Sequence, residues 1–164
     1  IGAGSRGAGR FDAGLPDAHQ QAREHARRLH AAGRTVLVQP YLDAVDAAGE
    51  TALIFVDGVF SHAIRKGPML ERDARHRLDG DALYIEEHIT ARVPSPAELA
   101  VAERILAHAT AGLDEPLLYA RIDLLPGPDG PVLVELELVE PSLFLTFAPG
   151  AGDRLAAAVS ARVG

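Results

Sequence analysis

Residues 117–139 read LLYARIDLLPGPDGPVLVELELV, and their pattern decides the fold of the second half of the chain. Leu118, Ala120, Ile122 and Leu124 alternate with Tyr119, Arg121 and Asp123; Val132, Val134, Leu136 and Leu138 alternate with Leu133, Glu135 and Glu137. A period of two means strand, with one face apolar. Between the two runs stands PGPDGP at 126–131, which is expected to leave the ladder and form the turn. A turn centred near Asp129 sets Asp123 opposite Glu135 and Arg121 opposite Glu137, so three carboxylates and one arginine share a face. Opposed like charges on neighbouring strands repel. A cation must offset them, and hard divalent ions held by oxygen ligands are the usual answer. The alternative is an ordinary solvated sheet face, although such a face commonly mixes Lys, Thr and Ser with its acids and this one does not.

Composition narrows the classes. The 164 residues suit one domain with a real core. A net charge of −7 argues against a nucleic-acid partner or a polybasic membrane surface. With no cysteine there is no disulfide, thiolate chemistry or zinc–sulfur site. Neither a membrane-spanning run nor a signal peptide is visible, and a cytoplasmic protein is expected. Lys66 is the only lysine.

Outward from the acidic hairpin, the pattern predicts a helix over 17–32 stopped by Gly33, a short buried strand over 35–39 and a hairpin of 51–56 with 59–65 about Asp57-Gly58. A charged loop over 67–81 and a short strand over 82–85 follow. Ser95-Pro96-Ala97-Glu98 is a capping box opening a helix that runs to Gly112, with Leu99, Ala102, Ile105, Leu106 and Ala109 on its buried side. Residues 152–163 form a terminal helix. This order is an α+β fold with a mainly antiparallel sheet.

Other motifs carry two readings each. Gly2, Gly4, Gly7 and Gly9 around Ser5 and Arg6 can wrap an anion with backbone N–H groups, or be a flexible terminus. Gln39, Pro40, Tyr41 and Leu42 leave a strand where backbone groups can meet a purine edge, or form a simple loop. Arg65 and Lys66 end a hairpin strand, a place for a phosphate-binding cation and equally for a surface charge. The seven histidines show no zinc-ligand spacing, and no G-x-S-x-G is present.

Taken in order, a Gly-Ser loop, a strand ending in Gln-Pro-Tyr-Leu, a hairpin ending in Arg-Lys, and Arg-x-Asp with Glu-x-Glu on a final hairpin resemble the ATP-binding half of the ATP-grasp superfamily. Arg121-Ile-Asp123 and Glu135-Leu-Glu137 resemble the R-x-D…E-x-N of D-alanine–D-alanine ligases, with Glu137 in place of Asn and Glu140-Pro141-Ser142 in place of the N-x-P-G tail. More narrowly, GAGSRGAGRF, VLVQPYL, FSHAIRK and ELELVEPSLFL are similar to the actinobacterial group that includes the O-ureido-serine cyclo-ligase of cycloserine biosynthesis.

The resemblance implies the ATP-grasp fold, with two small subdomains enclosing ATP. It implies an ATP- and Mg²⁺-dependent ligase that activates a small-molecule carboxylate as an acyl phosphate for attack by an amine or similar nucleophile. Two magnesium ions, with manganese as a substitute, would sit on Asp123, Glu135 and Glu137. Arg121 would serve the acyl phosphate, Gly4, Ser5 and Arg6 the phosphates, and Lys66 the phosphates from the other subdomain with Arg65 as its substitute. The backbone of Gln39, Pro40, Tyr41 and Leu42 would take adenine, and Asp46 the ribose. The family also places a Lys-Pro strand and an α/β domain ahead of the Gly loop, which implies that residues 1–164 are the ATP-binding region of a longer enzyme without its first phosphate-binding lysine. No nucleic acid or membrane partner is expected, and homo-oligomerisation is left open. A non-catalytic nucleotide-binding or assembly module and a plain oxygen-ligand metal-binding domain are the rival readings.

Overall fold

A computed structural model describes residues 7–68 and 88–163. The expectations placed on Gly2, Gly4, Ser5 and Arg6, on most of the charged loop and on a strand over 82–85 lie outside these residues. The chain divides into two units, one of residues 1–42 with 69–87, the other of 43–68 with 88–164.

In the described part of the first unit, helix α1 spans Ala18–Ala31, starting after Asp17 and stopping before Gly33, whose φ of +72° closes the last turn. His25 is buried on this helix, and its Nε2–H donates to the Gly7 carbonyl at 2.8 Å. The Phe11 ring lies against the same imidazole, and Arg10 stacks over Tyr41 at 3.4 Å. The buried strand expected over 35–39 is corrected: these residues are in no ladder, and Leu37 and Val38 are exposed. Among the described residues none pairs with 35–39, and apolar composition alone does not make a strand.

The second unit holds a five-stranded antiparallel sheet in the order β3 (Ile89–Arg92), β2 (Val59–Lys66), β1 (Glu50–Val56), β4 (Tyr119–Gly127), β5 (Gly130–Glu137). Helix α2 (Ala44–Ala48) leads into β1 (Glu50–Val56), which turns through Asp57-Gly58 into β2 (Val59–Lys66). Both turn residues have positive φ, 53° and 75°, the geometry that matches strand twist. The four-residue β3 (Ile89–Arg92) pairs with the end of β2; it and α2 are too short for their periodicity to be read from the sequence. Helix α3 (Pro96–Ala109) follows, then β4 (Tyr119–Gly127), β5 (Gly130–Glu137), a 3-10 turn (Leu145–Phe147) and helix α4 (Ala151–Val163). No described helix is long and apolar enough to cross a membrane.

One face of the sheet is the main core: Leu53, Phe55, Ala63, Ala120, Ile122 and Leu124 pack against Ala102 and Leu106 of α3. Leu99 and Ile105 flank this contact as expected; Ala109 is exposed, because α3 ends there, short of Gly112. The other face carries Ala52, Ile54 and Ile64 under Leu143, Phe144 and Phe147.

Both hairpins contain a β-bulge. In β1–β2 the register steps between Ile54 and Phe55, leaving Ser61 as the extra residue; in β4–β5 it steps between Asp123 and Leu124, leaving Val134. The expectation that 126–131 leaves the ladder is also corrected, since Pro126 pairs with Pro131 and Gly127 with Gly130, so that the turn is Pro128-Asp129 alone. Pro126 lies beyond the last residue that β1 pairs, and Pro131 stands on an edge strand, so neither missing N–H interrupts an inner ladder.

The capping box of α3 is also the polar anchor of the main core. Ser95 Oγ accepts from the Glu98 N–H at 3.2 Å, and the Ser95 N–H donates to Glu98 Oε2 at 2.7 Å. Glu98 Oε1 accepts from Thr51 Oγ1 of β1 at 2.6 Å and from Arg92 of β3 at 3.3 Å. Burial pushes the Glu98 carboxyl up, but the hydrogen bonds from Thr51 and Ser95 and the charge of Arg92 outweigh it and hold the group below the usual glutamate range. A carboxyl depressed in the folded state stabilises the fold above its ordinary pKa, and that contribution disappears as pH falls through the depressed value. Urea unfolding of Glu98→Gln should therefore show weaker acid destabilisation than the parent chain. Glu98→Ala, which strands Thr51 and Arg92, should cost about 2–4 kcal/mol at neutral pH. Parallel pH dependence in parent and Glu98→Gln would refute the assignment.

Candidate functional site

The expected facing pairs form: Asp123 lies opposite Glu135 and Arg121 opposite Glu137. What offsets the carboxylates is a pair of side-chain cations. Lys66 Nζ lies 2.7 Å from Asp123 Oδ2, 3.0 Å from Glu50 Oε2 and 3.8 Å from Glu135 Oε2. Arg121 donates through Nε to Asp123 at 3.0 Å and through one terminal nitrogen to Glu135 at 2.6 Å, and its other terminal nitrogen is ion-paired with Glu137 at 2.8 Å. The centre is dry and the rim wet: the Asp123 side chain is 0 % exposed, while those of Glu135 and Glu137 are 44 % and 31 % exposed.

The backbone explains how one lysine reaches so many acids. Ala52 of β1 pairs with Asp123 on one side and with Ile64 on the other, and Glu50 pairs with Lys66. Residues two apart on a strand share a face, so Glu50, Lys66 and Asp123 surround the small, fully buried Ala52, over which the lysine stem crosses to β4. Arg65, one residue earlier, points to the opposite face, where its Nε donates to the Ala48 carbonyl and caps α2. Lys66 and Arg65 are therefore not brought together.

Charge and burial act against each other here. Burial disfavours the charged lysine, yet Asp123 and then Glu50 outweigh it and hold the amine above its usual range. Arg121 is likewise buried and likewise held charged, by Asp123 first and then by the two glutamates. Burial pushes the Asp123 carboxyl up, with Lys66 and Arg121 opposing that rise.

The remaining expected residues lie elsewhere. Asp46 stands in the first turn of α2, within the same unit as the cluster. Gln39, Pro40, Tyr41 and Leu42 belong to the first unit, with Tyr41 under Arg10. Two members of the cluster were not singled out from the sequence. Glu50 has no sequence signal of its own, and neither has Phe144, whose ring centre lies 5.8 Å from Arg121 Cζ. The register of the first hairpin would have pointed to Glu50, had its bulge been legible.

As donors, three carboxylates suit hard divalent cations such as magnesium. Their spacing in this structure is that of ion pairs, and among the described residues no group of three or more His, Asp or Glu is arranged to hold a metal.

No family model matches the chain. It is 44% identical over 147 residues to the cycloserine biosynthesis protein DcsG of Streptomyces lavendulae, an overlap of 88% of this chain and 48% of that protein. The crystal structure of D-cycloserine synthetase DcsG matches with a TM-score of 0.75 at 40% identity, over 90% of this chain and 49% of the other. The chain is related to the ATP-grasp ligases. D-alanine–D-alanine ligase from Bacillus anthracis, in complex with ATP, shares the fold with a TM-score of 0.54 at 16% identity, over 88% of this chain and 47% of that one. The chain spans about half the length of the relatives it matches.

The ion cluster makes a stability prediction that is independent of function. Lys66→Met leaves Asp123 buried with Arg121 alone and should lower the unfolding free energy by about 3–5 kcal/mol. Lys66→Met combined with Asp123→Asn should recover most of that loss. A double variant no more stable than Lys66→Met would show that the two side chains are not coupled.

Proposed function

We propose that the chain carries the ATP-binding and phosphoryl-transfer centre of an ATP- and Mg²⁺-dependent ligase, one that activates a carboxylate for attack by an amine or similar nucleophile. The observation that carries this reading is the convergence of Lys66 and Arg121 with Asp123, Glu135 and Glu137 on one sheet face, in a chain related to the ATP-grasp ligases. Phosphoryl transfer needs positioning and charge compensation more than a covalent group. A cluster holding two buried cations beside several carboxylates offers both signs of charge at short range.

In this reading Asp123, Glu135 and Glu137 are the metal ligands, for two magnesium ions or manganese in their place. Bound metal would supply charge neutralisation on the transferring phosphoryl group. Glu135 and Glu137 are the exposed entry to the set, and Asp123, ion-paired here with Lys66 and Arg121, would complete it. In the same reading Lys66 takes a phosphate oxygen, and the phosphate-binding assignment of Gly4, Ser5 and Arg6 rests on the family resemblance alone. Backbone groups of Gln39, Pro40, Tyr41 and Leu42 hold adenine, and Asp46 holds the ribose. Arg65 keeps its place at the end of α2, and a direct phosphate role for it has no support in its contacts.

The reaction has two steps. A carboxylate oxygen attacks the γ-phosphorus, the bond to the β–γ bridging oxygen breaks and ADP leaves; the amine then attacks the acyl carbon, loses a proton and expels phosphate. Arg121 stabilises the acyl phosphate and the oxyanion of the second step. Cycloserine biosynthesis and D-alanine ligation, named for the relatives, set the scale of the expected substrates: small amino-acid-like carboxylates and amines.

One observation favours a second reading. The carboxylates are already paired by Lys66 and Arg121, so the cluster can stand as a structural network in a non-catalytic module that keeps the fold. Calorimetry separates the two. Mg²⁺ with a non-hydrolysable ATP analogue should raise the melting temperature more than either alone, and Glu135→Gln should weaken Mg–nucleotide binding at least about tenfold, the loss of one charged ligand. Unchanged affinity in that variant would remove the metal assignment, and absence of nucleotide binding in the parent chain would leave the structural module.

A further inference from the structure

The tail that follows β5 crosses the same sheet face as the ion cluster and is held there by His62. In the register, Ile54 of β1 lies between His62 of β2 and Arg121 of β4, all on one face. Leu143 and Phe144 pack against the cluster of Ala52, Ile54 and Ile64 on this face. At one end of this span His62 Nε2 lies 2.9 Å from the Leu143 carbonyl oxygen; at the other the Phe144 ring covers the Arg121 guanidinium. Phe144 has φ +49°, a left-handed conformation that a bulky residue adopts only when its surroundings hold it there.

The proton positions in this chain follow from donor chemistry. Arg154 of α4 can only donate, so Ser61 Oγ accepts from its Nε at 3.0 Å. The Ser61 hydroxyl proton is then free for His62 Nδ1, 2.9 Å away. The imidazole therefore carries its proton on Nε2 and donates it to the Leu143 carbonyl, which can only accept. Ser61 is the extra residue of the β1–β2 bulge, and bulges re-aim side chains beside sites.

We infer that His62 is a positioning residue for Arg121: through the Leu143 carbonyl it fixes Phe144 over the guanidinium, and so holds the arginine in the plane where it meets Asp123, Glu135 and Glu137. Its value to catalysis rests on the proposed role of Arg121, whereas the positioning itself does not. His62 is neutral in this arrangement. Burial holds its pKa below the ordinary value, backbone hydrogen bonding to Leu143 and, less, to Phe144 opposes this, and the nearby Arg154 charge adds to the lowering. Arg154 is the charged group facing it from α4; β1 presents Ile54, and the tail presents Leu143 and Phe144. Protonation would put a second hydrogen on Nδ1, towards a hydroxyl already bound to Arg154.

NMR of the chain without nucleotide tests this. His62 should show the Nε2–H tautomer, and the Arg121 Nε–H resonance should carry a ring-current shift from Phe144. In His62→Gln, which keeps an N–H at that reach, the shift should persist; in His62→Leu it should collapse and the Arg121 proton should exchange faster with water. On acidification the parent's His62 ring resonances should titrate below the usual histidine range. If His62→Leu fails to fold, Ser61→Ala serves, with partial loss of the Nε2–H tautomer and a smaller change at Arg121. An Nδ1–H tautomer, or an Arg121 resonance unmoved by these variants, would overturn the inference. Since no nucleotide is present, such a failure is distinct from a failure of Mg–ATP binding.

Discussion

A carboxylate with no exposure to water must be paired, and Asp123 sets that requirement at the centre of the sheet. Lys66 and Arg121 meet it from β2 and from its own strand β4. The pairing only works if β1 lies between β2 and β4 and presents a residue small enough for a lysine stem to cross, which Ala52 is. Strand order, register and the choice of alanine are thus tied to one ion cluster. Buried ion pairs add little net stability over an apolar core, yet breaking one is costly, so the cluster specifies an arrangement more than it strengthens the fold.

The two faces of the sheet solve the same problem in different ways. Under α3, Glu98 accepts from Thr51, Ser95 and Arg92, in a buried network that fastens helix to sheet. On the opposite face the carboxylates share two cations and open towards solvent at Glu135 and Glu137. A buried network suits a structural role. An open one, with charge to redistribute, suits a ligand of high charge.

Kinship with DcsG covers most of this chain but only about half of the relative, so the fold and the relationship are carried by shared residues while the acceptor chemistry belongs to the proposal. The network of His62, Ser61 and Arg154 extends the centre towards α4 and gives the tail after β5 a reason for its strained backbone. It ties the C-terminal helix to the plane of Arg121, two strands away from His62.

Alternation in residues 117–139 and the charges placed on it determined the acidic hairpin and its facing pairs, because side-chain period and a short turn are local properties. The Asp57-Gly58 turn and the Ser95–Glu98 box were equally local, and both appear where expected. Apolar composition misled at 35–39, where pairing depends on a neighbour that composition does not supply. The prolines of 126–131 misled too, since their cost depends on which strand lies beside them. Only the tertiary structure decided which cation serves the site. A two-residue turn without a bulge would pair Glu50 with Arg65; the extra Ser61 shifts the ladder by one, turning Lys66 to Asp123 and Arg65 to α2. A single inserted residue reverses every face beyond it, and whether a strand bulges depends on the packing around it, which no stretch of sequence states by itself.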